Sequence, residues 1–231
     1  MLEAALFGAV AQSSLVLSGL VVYWVHVPPK VVGALAGFGA GALVAAIAFD
    51  LIPESETLSF PQSAMWLLIG AGVFVVSDRI VEARFGGEGG SSTGALGIVV
   101  GAVVDGIPES LIFGIQLAGG QPIGIAFLGA VWISNIPQAL APSADLAGGG
   151  WRVGRVLAMW GAVVLACGLV AGLGFAVADA IGLNGSRAAA FAAGGLLAML
   201  TDSLMPYAFD RGGVMAGVWT VVGFAASMAS A

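Results

Sequence analysis

The chain has 231 residues, of which 59% are hydrophobic and 9% charged, and its formal net charge is -6. A mean hydropathy of +1.05 leaves too little polar surface to coat a water-soluble globule, so the composition points to an integral membrane protein. The acidic balance argues against nucleic-acid binding, and with Cys167 as the only cysteine neither an internal disulfide nor a thiolate cluster is available.

A spanning helix needs roughly 20 mainly apolar residues. Eight such segments are predicted, at 2–25, 31–52, 64–81, 94–117, 123–146, 153–178, 188–209 and 214–229, so that 1–231 reads as a single all-α transmembrane domain. The segments lack the strict alternation of a membrane β-barrel. The first begins close to Met1 without a basic flank or a small-residue cleavage motif, and it is read as a retained span rather than a signal peptide. Lys and Arg near span ends mark the cytoplasmic side. With the N-terminus outside, Lys30, Arg79, Arg84, Arg152, Arg155 and Arg211 all fall in cytoplasmic loops, and Arg187 alone does not. The predicted protein is therefore a multi-pass component of the cell (inner or plasma) membrane with both termini outside.

Of the 37 glycines, many sit within the spans at small-residue spacing, as do Gly33, Gly37 and Gly41. In lipid, small residues let helix backbones approach closely, so these glycines are expected at helix contacts. The run from Gly86 to Ser92, with Glu88 as its only charged side chain, reads as a flexible cytoplasmic linker.

Lining up the prolines reveals a motif in four copies: "DLIPES" from Asp50, "DGIPES" from Asp105, "SNIPQA" from Ser134 and "SLMPYA" from Ser203. Each has a polar residue three before the proline, and all but the last have a carboxylate or carboxamide just after it. Proline removes a backbone donor and pushes on the carbonyl four residues back, which frees that oxygen for another partner. For the second and third copies those carbonyls belong to Val104 and Ile133. The flanking polar side chains, 105 with 109 and 134 with 138, are four apart and so are expected on one helix face.

Depth separates the copies. Asp50 and Glu54 are predicted at the outer end of the second span, and Asp105, Glu109, Ser134, Asn135 and Gln138 near the midplane of the fourth and fifth. Asp202 and Asp210 fall toward the inner end of the seventh. A charge at mid-bilayer costs about 2.5 to 3.5 kcal/mol on the insertion scale, and no Lys or Arg occurs in the middle of a span to offset it. Protonation, water in a cavity or a bound cation would each relieve that cost. A protonated carboxylate acting only as interhelical glue is the bland reading, and a cation pathway is favoured over it.

These four motifs, in this order, resemble those of the ZIP family of divalent metal transporters, and the resemblance extends over essentially the whole chain. It implies eight spans in a 3+2+3 arrangement, the first and last three related as an inverted repeat around the fourth and fifth. It further implies a metal site between those two central helices, and a homodimer. The sequence departs from the family pattern at several ligands. Where the family's fourth span supplies His, Asn and Glu, this chain has Asp105, Gly106 and Glu109. The fifth span offers Ser134, Asn135 and Gln138, and Ala171 stands where many bacterial members carry a glutamate in the sixth.

What remains is almost purely oxygen, which suits Mg, Ca and Mn better than the imidazole and thiolate sites preferred by zinc. A hard or borderline divalent ion is expected as substrate, with Fe, Mn and Zn all compatible, and no resident cofactor is expected. His26, the one histidine, falls at the cytoplasmic end of the first span and is not counted among the ligands. The expected path collects cations at Asp50 and Glu54, dehydrates them at Asp105, Glu109, Asn135, Gln138 and Ser134, and releases them past Asp202 and Asp210. An intramembrane enzyme is disfavoured, since no "HExxH" or "GxSxG" motif is present and Asp105 with Asp202 lacks the "GxGD" context of an aspartyl protease. The rival reading is a ZIP-like protein that no longer carries metal and serves as a scaffold, a sensor or a carrier of another substrate.

Overall fold

The computed structural model describes residues 1–85, 106–107, 109–183 and 185–229. Among these, all regular structure is helical: α1 (Leu2–Val21), α2 (Pro29–Glu54), α3 (Phe60–Phe85), α4 (Glu109–Ala118), α5 (Ile125–Gly148), α6 (Val153–Ala180), α7 (Gly185–Gly212) and α8 (Val214–Met228). In hydrocarbon the backbone must satisfy its own donors and acceptors, and continuous apolar runs do so as helices. Six of the helices, α1, α2, α3 as far as Ile80, α5, α6 and α7, are long and apolar enough to cross a membrane; α4 and α8 are shorter apolar helices. Along α6 the outward-facing Leu165, Leu169, Leu173 and Val177 recur every four residues and are exposed, as a lipid-facing stripe requires.

Among the described residues the predicted segments fall on helices, most with ends within three residues of expectation. The first helix ends at Val21, before Trp24 and Val25, and the segment 188–209 lengthens to Gly185–Gly212. Most of the predicted 94–117 span, the 86–92 linker and the Val104 carbonyl lie outside the described residues.

Two helices share an unusual construction. In α2 a π-helical turn at Ile47–Leu51 precedes Pro53, and in α7 a π-helical turn at Leu200–Leu204 precedes Pro206. A π turn widens the backbone just where the proline ring would press on the carbonyl four residues back, so the helix continues past the proline.

Glycines set the tightest helix pairs. A Cβ on Gly41 would overlap the Thr220 carbonyl and one on Gly223 the Phe38 carbonyl, which seats α2 against α8. Likewise a Cβ on Gly194 would overlap the Leu67 carbonyl and one on Gly70 the Phe191 carbonyl, which seats α7 against α3. The step along the chain from Pro53 to Pro206 also carries Phe38 to Phe191, Gly41 to Gly194, Leu67 to Thr220 and Gly70 to Gly223. Gly33 and Gly37 pack on Gly212 and Ala216, so the small-residue stripe of α2 is a packing surface as expected.

Helix α1 packs along α6 and α5, while α2 packs on α5, α8 and the second half of α7. The main core gathers Leu43, Leu51, Phe113, Phe127, Leu196 and Met199, and a second cluster of Leu15, Val156, Trp160 and Cys167 lies between α1 and α6. At one end of the bundle Tyr23 donates to the Trp151 carbonyl at 2.7 Å and Gly33 meets Arg211 and Gly212, which draws Lys30, Arg152, Arg155 and Arg211 to the same end. The opposite end is closed by contacts of Thr57 with Ser186 and of Gly185 with Gln121.

Candidate functional site

Where α1, α4 and α5 converge, three fully buried polar side chains form a ring: Gln12, Glu109 and Asn135. Gln12 donates from Nε2 to Glu109 Oε2 at 2.9 Å, and its Oε1 accepts from Asn135 Nδ2 at 3.1 Å. Asn135 Nδ2 also approaches Glu109 Oε2 at 3.4 Å and the Ala11 carbonyl at 3.5 Å. One carboxylate oxygen thus receives two carboxamide N–H groups, the arrangement that stabilises a buried anion. Asn135 Oδ1 has no hydrogen-bond partner among the described residues, so an acceptor oxygen stands beside the carboxylate.

Helical spacing pairs 105 with 109 and 134 with 138. Asp105 lies outside the described residues. Ser134 is buried but turned to α2: its Cα would stand 2.6 Å from a Cβ on Gly39, and its hydroxyl donates to the Val131 carbonyl at 2.8 Å. The residue of the third motif that meets Glu109 is Asn135. Adjacent helical positions differ by about 100°, so only one of the pair 134 and 135 can face α4.

Polar groups continue from the ring in both directions. Two turns along α4 from Glu109, Gln116 donates from Nε2 to Glu54 Oε2 at 3.1 Å. Asp50 lies beside the N-terminus of α5, its Oδ2 3.4 Å from the Cβ position of Gly124, buried and without a hydrogen-bond partner among the described residues. Between the ring and this mouth stands an aromatic pair, Phe113 on α4 and Phe127 on α5, buried, with ring centroids 5.0 Å apart.

Toward the basic end, the Gln138 amide lies one turn below Asn135, and neither of its polar atoms has a hydrogen-bond partner among the described residues. Next comes a cavity of about 430 Å³ lined by His26, Leu140, Ala141, Asp145 and Arg211 among others. Tyr207 borders this region, donating to the Pro137 carbonyl at 2.8 Å with the Arg211 guanidinium 3.8 Å above its ring. Asp202 and Asp210 are both exposed on α7; Asp210 lies 3.8 Å from Arg211. Neither is a partner of the ring.

Gln12, Gln116 and Asp145 are the site residues that motif reasoning passed over. Gln12 had one signal: it is a long polar side chain set within an otherwise apolar span beside Ser13 and Ser14. Among the described residues no three His, Cys, Asp or Glu side chains come together. The chain matches no family model, and no curated protein is significantly similar to it.

Proposed function

We propose that this protein carries divalent metal cations across the membrane toward the cytoplasm, in the manner of the ZIP transporters its four proline motifs resemble. The observation that carries this reading is Glu109: a fully buried carboxylate held by two carboxamides on a line of polar groups that reaches both ends of the bundle. Burying polar groups without partners is costly. The orphaned atoms of Asp50, Gln116, Asn135 and Gln138 lie along that line, and a passing cation gives most of them a partner.

In this reading the ion is collected by Asp50 and Glu54, with Gln116 orienting Glu54. It is bound at mid-depth by Glu109 and Asn135, with Gln12 completing the ring and Gln138 one turn away, and Asp105 is assigned to the same site from its motif alone. Release is through the cavity lined by Asp145 and His26, in place of a path along Asp202 and Asp210. The Phe113–Phe127 pair closes the site from the acidic mouth while the cavity opens toward the basic end, which makes this an inward-facing state. Rocking that separates those rings and collapses the cavity completes alternating access. The inside-negative potential adds about 2.3 kcal/mol per charge per 100 mV.

Eight spans arranged as an inverted 3+2+3 repeat, with both termini outside, complete the proposal. The matched π turns before Pro53 and Pro206 support it, as do the matched glycine contacts of α2 with α8 and of α7 with α3. Gathering of basic residues at one end supports the orientation. A second reading has its own observation: the ring satisfies Glu109 Oε2 without an ion, as a purely structural network in a non-transporting scaffold or sensor would. Divalent-cation uptake into proteoliposomes, compared with that of Glu109→Gln, separates the two.

A further inference from the structure

The ring has a neighbour that chemistry singles out. Cys167 of α6 is fully buried, and a Cβ on Gly106 would stand 2.9 Å from its Sγ and 3.3 Å from Gln12 Oε1. Sulfur and amide oxygen therefore flank one point, the bare Cα of Gly106, three residues before Glu109. The same Gln12 amide donates from Nε2 to Glu109 Oε2 at 2.9 Å, so one side chain links the neighbourhood of the thiol to the carboxylate. Asn135 Oδ1, on the third member of the ring, is fully buried and has no hydrogen-bond partner among the described residues. A buried cysteine used only for packing needs no amide of a polar ring across from its sulfur.

We propose that Cys167 and the Gln12 carboxamide oxygen complete a mixed sulfur–oxygen metal site around Glu109, one that selects soft and borderline divalent ions, cadmium and zinc, over manganese and magnesium. The inference rests on the cation-transport reading and narrows its substrate class. A carboxylate and amide oxygens alone favour hard ions, whereas a thiolate draws the preference toward softer ones. Gln12 Oε1 is already on the thiol side, and binding draws it from its hydrogen bond with Asn135 Nδ2 onto the ion. It also breaks the Cys167 S–H bond: the electron pair stays on sulfur to form the metal–sulfur bond, and the proton leaves to solvent. Gly106 keeps the space between sulfur and amide clear.

The test is metal binding to purified, detergent-solubilised full-length protein, using cadmium and manganese chloride with wild type, Cys167→Ser and Glu109→Gln. Thermal unfolding without metal checks that each variant is folded. Wild type is expected to show an ultraviolet sulfur-to-cadmium charge-transfer band, and Cys167→Ser to lose it. Cadmium affinity should fall by about tenfold or more in that variant, with manganese affinity changing far less. Cadmium binding with no such band, or undiminished in Cys167→Ser, overturns the sulfur ligand while leaving a transporter that binds through oxygen. Absence of binding by either metal in wild type, or binding indifferent to Glu109→Gln, overturns the transport reading itself.

Discussion

Gln12 Nε2 lies 2.9 Å from Glu109 Oε2, so a carboxamide on the first helix holds a carboxylate on the fourth across 97 positions of sequence. The same amide accepts from Asn135 on the fifth helix. Three helices are thereby tied at one buried point, and any ion entering there must compete with that ring.

Replacing Gln12 by Leu removes both bonds. A hydrogen bond to a charged group contributes about 1.5 to 3 kcal/mol, and a lost partner leaves a buried acceptor unsatisfied. Metal-free Gln12→Leu should therefore unfold at lower temperature by a corresponding amount, measured by intrinsic fluorescence in detergent. Gln12→Glu sets a second carboxylate beside Glu109, where like charges repel. It should be destabilised without metal and rescued by millimolar divalent cation, a rescue that a purely structural ring would not show.

Gly41 and Gly194 should be equally intolerant of a side chain. A methyl group at either overlaps a neighbouring carbonyl, Thr220 or Leu67, and forced overpacking costs about 1 to 3 kcal/mol. Gly72, with nothing within 4 Å of its Cβ position, serves as the control for both. Comparable melting-temperature losses for Gly41→Ala and Gly194→Ala, with little change for Gly72→Ala, would reflect the matched construction of the two helix pairs. Unequal losses would show the match to be superficial.

Phe113 and Phe127, with centroids 5.0 Å apart, are the proposed seal between the ring and the Asp50–Glu54 mouth. Phe113→Leu keeps an apolar side chain and loses the ring pair, at a cost of about 0.5 to 1.5 kcal/mol for the aromatic contact. The variant should fold and should leak divalent cation faster than wild type in proteoliposomes. Leak equal to that of wild type would move the seal elsewhere.

Asp145 lines the cavity at the basic end together with His26, whereas neither Asp202 nor Asp210 lines it. Asp145→Asn should slow uptake severalfold more than Asp202→Asn, with the two variants folding alike. The reverse ranking would return the exit to the path along the seventh helix.

Much of this architecture can be read from the residues alone, because lipid imposes simple rules. Apolar run length places a helix at 123–146 where the structure has Ile125–Gly148, and the repeated proline motif singles out Glu109 and Asn135, two side chains that the fold brings together. Other features depend on how helices rotate and cross. Motif spacing grouped Ser134 with Gln138, but the roll of α5 turns Ser134 to Gly39 and Asn135 to Glu109. The π turns of α2 and α7 leave no local composition signal beyond the proline two residues later. Gln12 and Cys167 are single polar or soft side chains in apolar helices, and only the packing of α1 and α6 around Gly106 brings them to one place. Asp105, with Pro108, lies outside the described residues.

The most direct measurement is initial-rate uptake of zinc, cadmium and manganese by proteoliposomes holding wild type or Glu109→Gln at matched protein density. Loss of the carboxylate charge with its shape retained should lower uptake of the preferred ion by about tenfold or more, with the variant still folded. Uptake by wild type that exceeds empty liposomes and is unchanged in Glu109→Gln would contradict a cation site at this residue.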